Sequence, residues 1–131
     1  MRQAVILAGG LGTRLKTISA GLPKSMVDLN QRPLIDHILT RCKDHDLTHI
    51  HLILSHKSQV ITDHLGNGER FNLKISYTIE EQPRGTFNAL INAFPHLDDK
   101  FLLLYGDTYF DIDLADFYNF HHHHDGSVSL L

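Results

Sequence analysis

Three groups of residues in this 131-residue chain have the types and spacing to do chemistry on phosphate. The first is Gly9, Gly10, Gly12, Thr13 and Arg14, directly after an apolar run. Glycines let backbone N–H groups approach an anion closely and tolerate positive φ. Arg14 adds a permanent forked cation that matches phosphate oxygens. The second group is "PKSM" at 23–26, which supplies Lys24 as another cation. The third is "GDT" at 106–108, a Gly-Asp pair directly after another apolar run. Taken singly, a glycine-rich stretch is also an ordinary tight turn, and an aspartate an ordinary turn former.

Two familiar loops fail on spacing. The dinucleotide fingerprint G-x-G-x-x-G, started at Gly10, meets Leu15 at its sixth position. The P-loop needs Gly-Lys-Ser/Thr, but Lys24 follows Pro23. The histidine run His121–His124 does not make a metal site by itself, because four consecutive helical residues point in four directions. It reads as a polar helix end beside the C-terminal dipole. Asp111-Ile112-Asp113 is a D-x-D, which a metal-dependent glycosyltransferase would use for a nucleotide sugar; equally, Asp113 precedes Leu114 and can cap a helix.

The elements that must position these residues alternate. Apolar, β-branched runs at 3–8, 49–55, 73–80 and 101–105 predict strands. Between them, 33–45 places Leu34, Ile35, Ile38, Leu39 and Cys42 on one helical face, with Pro33 in its first turn. A short helix at 58–65 is stopped by "GNG" at 66–68, and a helix at 86–94 takes Thr86 as N-cap. A helix at 114–124 turns Leu114, Phe117 and Tyr118 inward and stops at Gly126; 127–131 reads as a further strand. Strand followed by helix, repeated, predicts a three-layer αβα sandwich around a mostly parallel, Rossmann-like sheet. One domain over 1–131 is expected, truncated or the first part of a longer protein, since the last strand has no closing helix. In such sheets ligands sit beyond the carboxyl ends of the strands. The stretches 9–14, 82–86 and 106–108 all fall there.

Composition narrows the partners. The formal net charge of −3 and scattered lysines leave no electrostatic footprint for nucleic acid. The N-terminal apolar run, Ala4–Ala8, is too short for a bilayer or a signal-peptide core, so no membrane partner is expected. A single cysteine excludes an internal disulfide and fits a reducing compartment, read as cytoplasm; Cys42 itself reads as a small buried hydrophobe. Eleven histidines make the charge sensitive to mild acid, since histidine titrates near pH ~6.5.

"LAGGLGTRL" together with "LPKSM" resembles the signature of the sugar-phosphate nucleotidylyltransferases, L-A-G-G-x-G-T-R-L followed by P-K-P-M. Ser25 stands where that pattern has proline. "EQPRGTFNAL" at 81–90 and "LLLYGDTYFDIDL" at 102–114 are similar to two further segments of the family, in the same order. The resemblance covers nearly the whole chain. It implies a nucleotide-diphospho-sugar transferase fold in which Leu7, Ala8, Gly9, Gly10, Gly12, Thr13 and Arg14 wrap a nucleoside triphosphate. It implies catalytic roles for Arg14, on the departing β- and γ-phosphates, and Lys24, on the α-phosphate and the incoming sugar 1-phosphate. Gln82, Gly85 and Thr86 are implied near the base and ribose, and Asp107 as a ligand of Mg²⁺. The segment at 106–114 looks most like the guanylyltransferase branch. That implies GTP, with D-glycero-D-manno-heptose 1-phosphate as leading substrate and mannose 1-phosphate next. A second metal-binding aspartate and most sugar contacts are expected after Leu131, so the 131 residues alone are expected to bind nucleotide without turnover. A glycosyltransferase or a non-catalytic nucleotide-binding regulatory domain are the competing readings, and a homo-oligomer stays open.

Overall fold

The structure, a computed structural model, describes residues 1–10 and 21–130. Its frame is a parallel sheet of four strands: β1 (Gln3–Leu7), β4 (His49–Leu54), β5 (Lys74–Ile79) and β6 (Phe101–Tyr105). The spatial order is β5-β4-β1-β6. Ala4 lies opposite Ile50 on one side and Leu102 on the other, and Ile50 opposite Ile75. The central strands β1 and β4 are rich in Ile, Val and Leu because both of their faces are covered, whereas β5 at the sheet edge alternates with polar residues.

Alternation along β1 assigns the two layers. Ala4 and Ile6 pack with Ile35, Ile38, Leu39 and Cys42 of α1 (Leu34–Asp44), Ile61 and Leu65 of α2 (Ser58–Leu65), and Leu114 of α4 (Leu114–His122). Val5 and Ile53 face the other way, onto Ala89 and Ala93 of α3 (Thr86–Ala93). The expected three-layer arrangement is therefore present. It follows from the path of the chain: β1, β4 and β5 are laid down in one direction with α1 and α2 on one face. The chain then returns through α3, on the opposite face, to place β6 against the free side of β1. Right-handed crossovers demand that change of face when the direction reverses.

Cys42 is fully buried in the larger core, and burial pushes its thiol pKa up to about 12. On the α3 side two buried polar groups are fully partnered. Gln3 donates from Nε2 to the His96 carbonyl (2.9 Å) and accepts from the Asp98 N–H (2.8 Å). His51 lies between the hydroxyls of Ser76 (Nδ1, 2.7 Å) and Thr78 (Nε2, 2.8 Å) and stacks on His96 with ring centroids 5.3 Å apart.

Several boundaries differ from the sequence reading. Pro33 is the N-cap of α1, not a first-turn residue; it also pairs with Asp28, joining β2 (Asp28–Leu29) to β3 (Arg32–Pro33). That hairpin turns on Asn30 and Gln31, both at positive φ (53° and 66°), as a type I′ turn requires. Thr86 is the first helical residue of α3, and Gly85 is its cap with no side-chain hydrogen bond. The helix predicted to reach 124 ends at His122, capped by His123, so Gly126 is not its stop. Leu114 and Phe117 join the core, whereas the Tyr118 hydroxyl bonds His122 Nε2 (2.7 Å). Residues 127–130 form no strand: among the described residues no strand pairs with them, and Val128 and Leu130 are exposed. The stop at 66–68 holds, with the Gly66 N–H closing α2 on the Thr62 carbonyl (2.8 Å).

Candidate active site

The reversal of chain direction lies between β1 and β6, and a cleft of about 300 Å³ opens at the carboxyl ends of these two strands. This is the switch point at which open α/β sheets bind ligands, because the loops diverge there and leave a crevice. Leu7, Ala8, Gly9 and Gly10 enter the cleft from β1, and Gly106 and Asp107 from β6.

Two glycines are required by close approach. A Cβ on Gly106 would meet the Ala8 Cβ at 2.8 Å and the Leu7 carbonyl oxygen at 3.2 Å. Its absence lets the Gly106 N–H reach that carbonyl (2.9 Å), which continues the β1–β6 pairing and fixes where Asp107 emerges. A Cβ on Gly9 would meet Ser55 Oγ at 2.9 Å and the Ser55 backbone nitrogen at 3.3 Å. Ser55, buried just past the end of β4, donates its hydroxyl to the Gly9 carbonyl. The Ala8 N–H bonds the Ile53 carbonyl (2.9 Å), so the start of the glycine loop is held from β4 as well.

Lys24 comes from a short 3-10 turn, Lys24–Met26, packed on α1. Its Nζ lies 3.2 Å from Asp107 Oδ2, so two predicted site residues from opposite ends of the sequence meet in the cleft. Gly85 and Thr86 line the same cleft at the start of α3. No side chain caps this helix, which leaves first-turn N–H groups for a ligand. Gln82 is placed apart, in a neighbouring polar hollow with Glu81, Arg84, Asn88 and Asn92. Gly12, Thr13 and Arg14 lie outside the described residues.

Asp107 suits a magnesium ion in kind. It is a hard carboxylate at the cleft, its side chain 40% exposed, and Mg²⁺ is commonly held by one or two carboxylates with substrate phosphates. Among the described residues no three His, Cys, Asp or Glu side chains converge on a metal position.

The D-x-D pair is engaged elsewhere. Asp111 pairs with Arg41 (3.4 Å), whose Nη2 also donates to the Ile112 carbonyl (2.9 Å). Asp113 caps α4, accepting from the N–H groups of Ala115 (2.8 Å) and Asp116 (3.2 Å). Neither aspartate lines the cleft.

The profile of the family described as nucleotidyl transferase matches residues 3–131. This chain belongs to the nucleotidyl transferase family. Within it, the chain is 39% identical over 113 residues to the D-glycero-alpha-D-manno-heptose 1-phosphate guanylyltransferase of Campylobacter jejuni, covering 86% of this chain and 51% of that protein. It is 34% identical over 128 residues to the mannose-1-phosphate guanylyltransferase of Mycobacterium tuberculosis, covering 97% of this chain and 36% of that one. The crystal structure of HddC from Yersinia pseudotuberculosis complexed with GMP-PN superposes with a TM-score of 0.81 at 38% identity, covering 91% of this chain and 53% of that chain. This nucleotidyl transferase chain thus spans between about a third and a half of the length of these relatives. No helix among the described residues is long and apolar enough to cross a membrane.

Two residues at or behind the cleft carry no sequence signal. Ser55, which holds Gly9, is a single hydroxyl, and Tyr105 is the last residue of an apolar strand. A strand-end position after β4 was the only available pointer to Ser55.

Proposed function

We propose that this chain provides the nucleotide-binding part of a sugar-1-phosphate nucleotidylyltransferase, which transfers a nucleoside monophosphate from GTP to a sugar 1-phosphate. D-glycero-D-manno-heptose 1-phosphate is the leading acceptor and mannose 1-phosphate the next. The observation that carries the reading is the meeting of Gly9, Gly10, Lys24 and Asp107 around one cleft at the β1–β6 switch point. The two guanylyltransferase relatives and the GMP-PN complex support the choice of base. The lone buried Cys42 supports the cytoplasm as the site of action.

The chemistry asks little covalent work of the protein. An oxygen of the sugar phosphate attacks the α-phosphorus in line. A new P–O bond forms, the α–β bridging P–O bond breaks, and pyrophosphate leaves with the electron pair. The nucleophile is already an anion, so no general base is required. The difficulty is to bring polyanions together and to stabilise charge on the α-phosphoryl group, which positioning and fixed cations accomplish. In this reading the loop N–H groups from Gly9 and Gly10 hold phosphate, Gly85 and Thr86 at the start of α3 lie toward the base and ribose, and Lys24 neutralises the reacting centre. Arg14 would hold the leaving phosphates. Mg²⁺ bound through Asp107 would supply further charge neutralisation.

A thermal-shift panel of GTP, CTP, UTP, dTTP and ATP with Mg²⁺ tests the reading. A ligand that binds only the folded state stabilises it by about 2.7 kcal/mol at 100 times its Kd. Selective stabilisation by GTP is the expected result. No shift with any triphosphate would overturn the nucleotide site, and selective stabilisation by another would overturn the guanylyl assignment.

A further inference from the structure

Ser25 neighbours Lys24 on the 3-10 turn and lines the cleft. The residue is 2% exposed, and its Oγ is sealed from water with no hydrogen-bond partner among the described residues. Buried hydroxyls are nearly always bonded, because folding strips them of water and an unmade bond is not recovered. Two other buried side-chain atoms are unpartnered, Arg41 Nε and His45 Nε2, and neither residue lines the cleft. Ser55, the buried serine that holds the start of the glycine loop, is satisfied by the Gly9 carbonyl. Ser25 is therefore the one cleft-lining residue among these that holds an unused donor, and it does so beside the ammonium group of Lys24.

We propose that the Ser25 hydroxyl is a phosphate-binding group, donating a hydrogen bond to an anionic oxygen of the nucleotide held at Lys24. The inference rests on the nucleotide-binding reading above. A serine side chain has three staggered positions about one bond, so a single rotation gives its hydroxyl a new partner. An O–H donated to a charged oxygen is shorter and stronger than a neutral bond, and this favours phosphate over a base or sugar oxygen. The family pattern has proline at this position, which offers no donor at all. The contact would thus add affinity for phosphate in this chain without altering which base is chosen.

The test measures GTP affinity with Mg²⁺ by calorimetry for the wild-type chain, Ser25→Ala and Ser25→Pro, and the melting temperature of each without ligand. Both variants are expected to bind GTP about tenfold more weakly, equivalent to ~1.4 kcal/mol. Ligand-free Ser25→Ala is expected to melt at or above the wild-type temperature, since it loses an unpaired hydroxyl and no bond. GTP binding by Ser25→Ala within twofold of wild type overturns the proposal, and so does a ligand-free melting temperature that falls by several degrees, which marks a structural hydroxyl. If the wild-type chain binds no GTP, the nucleotide reading fails and the Ser25 assignment falls with it. Failure in the variants alone leaves that reading intact.

Discussion

Lys24 and Asp107, 83 residues apart, form an ion pair of 3.2 Å across the mouth of the cleft. Their side chains are 27% and 40% exposed, so the pair contributes about 1 kcal/mol or less to stability. Lys24→Ala should therefore change urea-unfolding stability by less than about 1 kcal/mol. GTP affinity should fall at least tenfold in the same variant, because a charge-assisted phosphate contact is lost. A loss of stability without a loss of affinity would contradict the assignment of Lys24 to the ligand.

Asp107→Asn separates the metal from the rest of the site. Titrations of GTP with Mg²⁺ and with EDTA should differ in the wild-type chain and coincide in the variant. A variant that keeps the full magnesium effect would place the ion elsewhere.

Gly9→Ala should destabilise the fold by about 1–3 kcal/mol, the range for forcing a methyl group into a filled space. The new Cβ would sit 2.9 Å from Ser55 Oγ. Ser55→Ala alone should cost about 1 kcal/mol for its hydrogen bond to Gly9. In the double variant the costs should sum to less than their total, because one substitution removes the atom that the other strikes. Denaturant midpoints of the four proteins give the coupling directly.

His51 makes stability depend on pH. Its pKa is lowered, first by burial and then by repulsion from His96, which is stacked on it. The hydroxyls of Ser76 and Thr78 face it from β5 and carry no charge. The unfolded chain therefore binds a proton that the folded chain resists. The contribution is fully present above the unfolded value near pH ~6.5 and is lost as pH falls from there toward the folded value. Melting temperatures between pH 8 and 5 should show a smaller acid loss for His51→Gln than for wild type. Equal slopes would remove His51 from the explanation.

The N-cap of α4 is a separable local contribution. Asp113→Ala should cost ~1 kcal/mol, and Asp113→Ser should restore most of it, since serine can accept the same backbone N–H groups. Thermal melts of the two variants decide the point.

With GTP, Mg²⁺ and a sugar 1-phosphate, the purified 131 residues should bind nucleotide and release no pyrophosphate. The matched residues cover 51% and 36% of two relatives, and the family resemblance implies that the second metal ligand lies after Leu131. Pyrophosphate release above background would overturn that division of labour.

Much of this fold was legible because a parallel sheet buried on both faces needs unbroken apolar strands. The strand at 101–105 and the helix at 58–65 were read to the residue. The β2–β3 hairpin was not legible: its strands have two residues each, too few for a period, and its turn uses Asn30-Gln31 rather than Asn-Gly. The strand read over 127–131 is not formed at 127–130 for the converse reason. A strand-like composition forms no strand without a partner, and among the described residues 127–130 have none. At the site, glycines and charges announced themselves by spacing. The Ser55 clamp did not, since it depends on Gly9, 46 residues away in sequence; Ser25 was visible as a departure from the family pattern, but not that its hydroxyl is buried without a partner among the described residues.

Cys42 gives the molecule a built-in clock. The thiolate is the form that reacts with alkylating reagents, and in the folded chain this thiol is both inaccessible and held protonated with a pKa of about 12. Each opening of the α1 core therefore strikes once, and modification of the native protein counts those openings. Its only cysteine thus times how often the scaffold beneath the cleft comes apart, with no label added.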